Sequence, residues 1–486
     1  MCLANPCKSI IIDALERVLD GSWGEKGNEG MKPLAIIILA AGKGTRMKSA
    51  TVKVLHPLAG VPVLSYSLDL AREFKPQKLV VVVGFQGGAV REQFDAPDLT
   101  FVEQKEQLGT GHAVQTAVQA LPGFRGTILI LCGDVPLLTR AAVQRLLREH
   151  QRKKAAVTVL TTILENPGSY GRIFRREDGQ LLKIVEAKDL KAGAEVIREI
   201  NTGIYCVESG FLFSALLSLT DRNAQREYYL TDIVALANSR GERATGYVVE
   251  NPFEVMGINT RADLAKAAQY LRQRINERHL LDGVTLIDPG TTYIDRGVVI
   301  GRDTVIYPNC FLLGRTILGE DCVVEPGCKI QDTRVGKAVT IKASSVMTES
   351  ILEDRVEVGP FAHLRHQTTL REKSKVGNFV EVKKSVLGKG ATANHLSYIG
   401  DTTIEENVRV GAGTITCNYD GRKKHPTVIE DEVLIGSNTA LVAPIKIGRG
   451  ALIGAGSTIT KEVPPDPLAV TRAKQLHCKK RSQPKE

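Results

Sequence analysis

The chain has 486 residues, which exceeds what one ordinary hydrophobic core holds and predicts two or three domains. Its 43% hydrophobic and 24% charged residues are typical of a soluble globular protein, and no apolar run is long enough to span a membrane. The net charge of +10 suits an enzyme with polyanionic substrates, while an aromatic content of only 5% disfavours nucleic-acid binding.

An α/β domain is predicted in the N-terminal half. The first 30 residues precede the first clear strand, and we assign them no function, although residues 9–20 have the pattern of a short helix. Beyond them, apolar strands alternate with glycine turns and helical segments, which predicts a Rossmann-like fold with a mostly parallel sheet. Such sheets bind ligands at the carboxyl ends of their strands. The strands are predicted at residues 34–39, 79–83, 127–131, 156–161 and 199–207.

One linker helix is predicted to follow the α/β domain. Apolar residues recur at three-to-four spacing with arginines between them, so we expect an amphipathic helix over residues 261–281. The apolar residues are Leu264, Ala267, Ala268, Leu271 and Ile275.

The C-terminal part of the chain has a six-residue period. From residue 282 to about residue 470, aliphatic residues recur at every sixth position, and smaller residues stand four positions after several of them. A helix cannot present this period, so hexads with glycine turns predict a parallel β-helix of three hexads per coil. Its outer strands need lateral burial, which predicts self-association, usually as a trimer for this fold. The aliphatic series are Ile300, Ile306, Leu312, Leu318, Val324, Ile330 and Ile435, Leu441, Ile447, Ile453, Ile459, and the smaller residues are Thr304, Cys310, Thr316, Cys322 and Cys328.

The cysteines are predicted to be reduced. Nine cysteines lie scattered without CxxC pairs or zinc spacing, which indicates free thiols in a cytoplasm. Cys310 and Cys328 are one coil apart, so they should stack about 4.8 Å apart at the backbone without their side chains pointing at each other. We therefore predict that both, with Cys322 on another side of the coil, are buried apolar fillers.

A glycine-rich loop follows the first strand. Its amides can approach a polyphosphate closely, while Arg46 and Lys53 supply positive charge. It lacks the third glycine of the dinucleotide fingerprint, and a bare Gly-x-Gly turn is equally typical of an ordinary strand–helix connection. The whole string resembles that of the sugar nucleotidyltransferases, although Val52 stands where that family usually has proline. The string is Leu39-Ala40-Ala41-Gly42-Lys43-Gly44-Thr45-Arg46-Met47, followed by Lys53.

Further segments resemble that family in the same order. The resemblance implies that the loop holds UTP, that Arg46 and Lys53 stabilise the departing pyrophosphate, and that a sugar 1-phosphate oxygen attacks the α-phosphorus in line. Carboxylate and amide oxygens also suit Mg²⁺. The implied positions are Gln104, Gly109 and Thr110 for the uracil, Gly171, Glu186 and Asn201 for the sugar, and Asp134 and Asn259 for Mg²⁺.

A second constellation lies where the hexad count is broken. Its surrounding strings, residues 376–384 and 411–421, resemble the bifunctional glucosamine-1-phosphate acetyltransferase/N-acetylglucosamine-1-phosphate uridyltransferase family. The resemblance runs from about residue 31 to residue 472 and implies a left-handed β-helix and a homotrimer. It also implies synthesis of UDP-N-acetylglucosamine for cell-wall and lipopolysaccharide biogenesis. The constellation comprises Arg365, Lys383, His395, Tyr398, Asn418 and Tyr419.

The family's acetyltransferase roles are carried over by position. His395 would be the general base that takes a proton from the sugar amine as it attacks the acetyl-CoA thioester, a task that suits imidazole at neutral pH. Glu381 is a candidate to orient His395, and Arg409 stands where the family commonly has a sugar-contacting asparagine. Arg365 and Lys383 would clamp the sugar phosphate, Tyr398, Asn418 and Tyr419 would place the sugar and acetyl end, and Ala412, Ser437, Ala455 and Arg472 match the acyl-CoA positions.

The resemblance divides the chain into five segments. They are an extension over residues 1–30, a uridylyltransferase domain over 31–260, the linker helix over 261–281, an acetyltransferase β-helix over 282–470 and a basic tail over 471–486. The expected partners are small molecules, with no nucleic acid and no membrane. Two alternatives stay open: a single-activity nucleotidyltransferase whose β-helix only drives oligomerisation, and a scaffold with both sites inactive. Acceptance of galactosamine substrates is also left open.

Overall fold

The computed structural model describes residues 32–478, so the interpretations of residues 1–30 and of the last eight residues lie outside the described part. The described residues form two compact units, the first from residues 32–42, 68–132 and 139–250 and the second from 43–67, 133–138 and 251–478. The domain bounds given above stay a prediction. Within residues 32–478, no helix is long and apolar enough to cross a membrane.

The first unit is built on a nine-stranded sheet. In chain order the strands are β1 Leu34–Ala40, β2 Lys78–Val83, β3 Leu99–Glu103, β4 Thr127–Cys132, β5 Val157–Ile163, β6 Arg172–Arg175, β7 Leu181–Val185, β8 Glu199–Glu208 and β9 Ala244–Val249. Their spatial order is β9-β5-β8-β4-β1-β2-β3, and β6 pairs with both β8 and β7. Strand β1 is parallel to β2 and β4, whereas β8 is antiparallel to β4 and β5, so the sheet is mixed where a mostly parallel one was expected.

The predicted strands are the buried ones. Ala35 to Ile38 in β1 are fully buried, as are Val80 to Val83 in β2, and such continuous apolar runs are typical of strands covered on both faces. They correspond to β1, β2, β4, β5 and β8. Sequence analysis missed β3, β6, β7 and β9. Of these, β3 and β9 lie at the two edges of the sheet, where alternating or partly exposed residues give a weaker apolar signal.

Seven α-helices are present within residues 32–478. They are α1 Val63–Glu73, α2 Gly87–Phe94, α3 Thr110–Val118, α4 Arg140–Lys153, α5 Ser209–Leu216, α6 Asp232–Ser239 and α7 Arg261–Leu281. Helix α7 has the predicted bounds and begins with a capping box, in which Thr260 and Asp263 satisfy each other's backbone amides.

One face of α7 differs from the prediction. Ala268 is exposed, whereas the polar residues Asn276 and His279 are buried. The amide of Asn276 is buried because it donates hydrogen bonds to the carbonyl oxygens of Pro289 and Thr292, at 2.8 and 3.0 Å, in the first coil of the β-helix. Apolar periodicity cannot reveal a polar side chain that is buried to pair backbone carbonyls.

The second unit contains the predicted β-helix, whose three faces are parallel sheets. The first face comprises Thr285–Leu286, Val305–Ile306, Val323–Val324, Thr340–Ile341, Glu357–Val358, Lys375–Asn378, Thr392–His395, Arg409–Val410, Leu434–Ile435, Leu452–Ile453 and Leu468–Ala469. The second comprises Tyr293–Ile294, Phe311–Leu313, Lys329–Gln331, Val346–Thr348, His363–Leu364, Glu381–Lys383, Tyr398–Gly400, Ile415–Cys417, Ala440–Val442 and Thr458–Ile459. The third comprises Val299–Ile300, Ile317–Leu318, Arg334–Val335, Ser350–Leu352, Thr368–Leu370, Val386–Leu387, Thr402–Ile404, Thr427–Ile429 and Ile445–Ile447. A separate hairpin joins Pro57–Leu58 to Val61–Pro62.

The inward residues of the β-helix are those that the hexad period predicts. Every aliphatic and every smaller residue of the two series is buried in the coil interior. Cys310 and Cys328 lie on adjacent coils, since the amide of Phe311 donates to the carbonyl oxygen of Cys328 at 2.9 Å, and Cys322 lies on another face. All three thiols are free and buried, which confirms the predicted fillers.

The coil period lengthens at one place. Thr402 on the third face pairs with Thr427, a longer step than the usual eighteen residues. The additional residues form a loop over residues 418–425 that leaves the coil and returns to it. This is the predicted irregular stretch, and it brings Asn418 and Tyr419 to the second face.

Candidate functional site

A group of polar side chains surrounds Lys53 in the second unit. The Lys53 ammonium donates hydrogen bonds to the carboxylate of Asp134 and, at 3.3 Å, to the side-chain oxygen of Asn259. Arg46 donates to that same oxygen at 2.9 Å. The side chains of Lys53 and Asp134 are 13% and 21% exposed, so their ion pair is largely removed from water. The four predicted charge-stabilising and metal-binding residues of this region are therefore brought together.

Local backbone contacts place this group. Gly44 has a φ of 62°, and a Cβ atom there would lie 2.7 Å from Cβ of Lys53, so only glycine allows Lys53 its position. The carbonyl oxygen of Asp134 accepts from the amide of Ile258 at 2.9 Å. The amide of Asn259 donates to the Asp263 carboxylate at 3.1 Å, which ties Asn259 to the start of α7.

In the first unit, one glutamine side chain holds the loop that follows β1 and a second holds the start of α3. Gln107 donates to the carbonyl oxygen of Ala41 at 2.9 Å. Gln104 is buried; it donates to the carbonyl oxygen of Gly109 at 3.0 Å and contacts Nδ1 of His112 at 3.1 Å. Sequence analysis named Gln104 and Gly109 but not the supporting contact from His112, which only the packing of α3 reveals.

Three predicted sugar-binding residues converge elsewhere in the first unit. The amide of Asn201 donates to the carbonyl oxygen of Gly171 at 2.9 Å, and a Cβ atom at Gly171 would lie 3.4 Å from a carboxylate oxygen of Glu186. Burial raises the pKa of Glu186, and the neighbouring carboxylates of Asp189 and Asp232 add to that effect. The carboxyl group of Glu186 therefore holds its proton more tightly than an exposed one.

His395 lies at the end of a first-face strand of the β-helix. The strand Thr392–His395 pairs with Lys375–Asn378, so that His395 stands directly beside Asn378. Nδ1 of His395 and Oδ1 of Asn378 are 2.7 Å apart. Both residues line a cavity of about 270 Å³, together with Lys342, Glu357 and Lys375.

The suggestion that Glu381 orients His395 is wrong for this structure. Glu381 lies on the second face opposite Tyr398 and accepts a hydrogen bond from Arg365 at 2.8 Å. Spacing along the sequence could not distinguish Asn378 from Glu381 as the nearer residue.

A cationic group occupies the second face beside the loop over residues 418–425. Arg365 and Lys383 are joined there by Lys424, whose proximity lowers the pKa of the Lys383 ammonium. Two amines in contact favour an anion between them. Lys424 was missed because it lies on the inserted loop, where the hexad pattern gives no register; the bridge between Tyr419 and Lys424 places it.

Asn418 reaches back onto the coil from the same loop. It donates to the Asp401 carboxylate at 2.6 Å and lies 3.5 Å from the Tyr398 hydroxyl. A Cβ atom at Gly400 would approach that hydroxyl to 2.5 Å, so glycine leaves the space that brings Tyr398 and Asn418 together. Tyr419 is 61% exposed beside them.

The four predicted acyl-CoA residues follow one corner of the β-helix. The amide of Asn438 donates to the carbonyl oxygen of Ala412 at 2.7 Å. The amide of Gly456 donates to the carbonyl oxygen of Ser437 at 2.8 Å. The Cβ position of Gly456 lies 3.7 Å from Cδ of Arg472, and Gly436 faces the amide of Ala455. Ala412, Ser437, Ala455 and Arg472 therefore lie on successive turns. Arg409, which stands where the family commonly has asparagine, has an exposed side chain on the first face.

Within residues 32–478, no group of three or more His, Cys, Asp or Glu side chains could hold a metal ion. The group around Lys53 offers two oxygen donors, one from Asp134 and one from Asn259, which already face a common cation.

Comparisons with known proteins agree with two catalytic folds in one chain. The model of the MobA-like NTP transferase domain matches residues 36–200, that of the GMPPB C-terminal domain matches residues 289–386, and the bacterial transferase hexapeptide model, with six repeats, matches residues 426–461. These matches fall on most strands of the mixed sheet and on the β-helix.

Whole-chain relatives are also found. The Bifunctional protein GlmU of Geotalea uraniireducens (strain Rf4) is 53% identical over 448 residues, which cover 92% of this chain and 98% of the relative. That of Geotalea daltonii is 52% identical with the same coverage, and that of Heliobacterium modesticaldum is 48% identical, covering 90% of this chain and 95% of the relative.

Proposed function

The chain belongs to the family of bifunctional GlmU proteins, and from that premise we propose which of its residues carry each activity. The protein is a bifunctional transferase: it acetylates glucosamine 1-phosphate from acetyl-CoA, and it transfers uridylyl from UTP to N-acetylglucosamine 1-phosphate. It thereby makes UDP-N-acetylglucosamine for cell-wall biogenesis. The single-activity and inactive-scaffold alternatives are set aside.

Acetyl transfer is assigned to the β-helix because the β-helix carries both the imidazole of His395, which lines a cavity, and a cationic group that fits a sugar phosphate. The sugar amine attacks the thioester carbonyl carbon, the C–S bond breaks, and the amine proton passes to Nε2 of His395 and on to the departing thiolate. The phosphate is held by the positive charges of Arg365, Lys383 and Lys424. The hydrogen-bonded side chains of Tyr398 and Asn418 place the sugar, with Tyr419 at the acetyl end.

The acyl-CoA is assigned to the corner formed by Ala412, Ser437, Ala455 and Arg472. Two alanines and a serine leave room along that corner for the narrow pantetheine arm, and Arg472 offers charge for a phosphate. The exposed guanidinium of Arg409 lies one strand away on the first face and adds a cation where the family commonly has asparagine.

Uridylyl transfer is assigned to the α/β domain. Leu39, Ala40, Ala41 and Gly42 offer the loop to the UTP phosphates, and the buried Gln104 with Gly109 and Thr110 recognises the uracil. Gly171, Glu186 and Asn201 hold the sugar. Arg46 and Lys53 stabilise charge on the departing pyrophosphate, a task that needs fixed positive groups more than a protein nucleophile.

We assign Mg²⁺ to Asp134 and Asn259. Their oxygens already gather around the Lys53 ammonium, and a hard cation that keeps several waters needs few protein ligands. When bound, Mg²⁺ supplies neutralisation of phosphate charge. Lys53 then remains free to contact a phosphate oxygen in place of the carboxylate.

We also propose a homotrimer, built partly on an apolar ridge of the β-helix. Phe361 and Phe379 stack on adjacent coils with ring centroids 5.4 Å apart, and Leu396 continues the column. All three are more than half exposed and have positive φ values, a conformation that bulky residues rarely adopt. Exposed aromatic residues at strained corners are typical of surfaces that a second copy covers.

Because UTP and acetyl-CoA are intracellular metabolites, we place the enzyme in the cytoplasm.

The domain bounds are proposed as above, with uridylyl transfer over residues 31–260 and acetyl transfer over 282–470. Paired substitutions test the division of labour. His395→Ala should abolish thiol release from acetyl-CoA and leave uridylyl transfer within about twofold of wild type, whereas Asp134→Ala should do the reverse. Each protein is assayed for both half-reactions, with glucosamine 1-phosphate and N-acetylglucosamine 1-phosphate as separate substrates. Loss of both activities from either folded variant would refute two independent sites.

A further inference from the structure

The imidazole of His395 is held by one neutral side chain. Within residues 32–478, the hydrogen-bond partner of this ring is Oδ1 of Asn378, which lies 2.7 Å from Nδ1. We propose that Asn378 is the positioning residue for His395, and that its amide oxygen selects the imidazole tautomer whose Nε2 takes the proton of the sugar amine. This inference rests on the role proposed above for His395.

The β-helix ladder builds this pair. Asn378 and His395 are directly paired in the parallel register of their strands, so the backbone sets the two side chains side by side without any loop. The ring is exposed on its other side, where it lines the cavity of about 270 Å³. A side chain with so little packing around it depends on its hydrogen bond for orientation.

The direction of the hydrogen bond determines which nitrogen is basic. An amide oxygen only accepts, so Nδ1 carries the hydrogen and Nε2 keeps its lone pair for the incoming proton. Glu381, the other candidate for this task, accepts from Arg365 instead.

A neutral partner also suits the charges around the ring. Lys375 lies on the strand that carries Asn378, Arg409 lies on the strand that pairs with the other side, and Lys342 and Glu357 line the cavity. Glu357 is shared between Lys342, at 3.3 Å, and Lys375, at 2.7 Å, so the surroundings carry a net positive charge. The uncharged amide of Asn378 adds no further charge to this group of side chains.

Three variants of the full-length enzyme test the proposal. Asn378→Leu should lower kcat for acetyl transfer about 10- to 100-fold while KM for both substrates stays within about twofold, because orientation and not binding is lost. Asn378→Asp restores an acceptor, so it should recover most of kcat and move the acid limb of the pH–rate profile to higher pH by about one unit, since a carboxylate stabilises the imidazolium. Asn394→Leu is the matched control, because Asn394 lines the same cavity without bonding to the ring, and it should match wild type.

Uridylyl transfer by the same samples reports folding. A kcat for Asn378→Leu within twofold of wild type, with His395→Ala inactive, overturns the positioning role and leaves the proposed function standing. Activity in His395→Ala overturns the proposed function itself. If Asn378→Leu loses both activities, Asn378→Asp decides: an acid limb at the wild-type pH overturns the proposal, and a limb at higher pH supports it.

Discussion

Gly44 offers the sharpest test of how the backbone places the uridylyl-transfer residues. Its φ of 62° lies in the left-handed region, where an alanine costs about 1 to 2 kcal/mol. The added Cβ atom would lie 2.7 Å from Cβ of Lys53, well inside ordinary contact, so Lys53 or its short helix has to shift by several tenths of an ångström. A displaced ammonium no longer bridges Asp134 and Asn259 in the same geometry.

We therefore expect Gly44→Ala to lower kcat/KM for uridylyl transfer about 10- to 100-fold, because small misplacements of a charge-stabilising group are costly in this way. Acetyl transfer, measured as thiol release by the same sample, should stay within twofold and serves as the folding control. Gly88→Ala is the matched control, since its Cβ atom would meet nothing within 4 Å and alanine suits the helix Gly87–Phe94. Uridylyl transfer by Gly44→Ala within twofold of wild type would show that Lys53 does not depend on this glycine.

Two further expectations concern burial. Burial raises the pKa of Glu186, so the folded enzyme holds that proton more tightly than the unfolded chain and loses stability as pH rises through the interval between the two pKa values. Glu186→Gln should therefore raise the melting temperature at pH 8 more than at pH 4, while weakening sugar 1-phosphate binding. An equal or negative change in melting temperature at pH 8 would contradict the assignment. The three buried thiols should resist labelling, as peptide mass mapping can show: Cys310, Cys322 and Cys328 should stay unmodified until denaturant is added, while the exposed Cys478 reacts at once. Rapid labelling of Cys310 would mean that the coil register is wrong.

The β-helix was predictable to the level of single inward residues because its physics is periodic. Each hexad repeats the same task, so Ile306 and Ile330 are buried for the same reason, and one register accounts for all of them. The central strands of the sheet were predictable for a related reason, since a strand covered on both faces has to be continuously apolar. The antiparallel direction of β8 was not, because burial is the same for either direction of a strand.

The site residues divide along the same line. Arg46, Lys53, Asp134 and Asn259 could be named from motifs, but their mutual contacts depend on how distant segments meet. Lys424 lies outside any period, on the loop over residues 418–425. There the Asp420 carboxylate shapes the turn by accepting hydrogen bonds from the backbone amides of Arg422 and Lys423, each at 2.8 Å. A local turn of that kind leaves little trace in hydrophobic spacing.

The inserted loop explains why acetyl-transfer chemistry is placed where the repeat fails. A regular coil stacks each side chain on its counterpart one coil away, so its residues stay in the ladder. The longer step between Thr402 and Thr427 releases enough chain to bring Asn418 back against Tyr398 and to set Lys424 beside Lys383. Two residues one coil apart in the ladder, Asn378 and His395, then supply the hydrogen-bonded base from the regular part of the helix. The rigid repeat thus fixes the base, while the irregular loop brings the cation and amide that the substrate needs, and neither part would form the site alone.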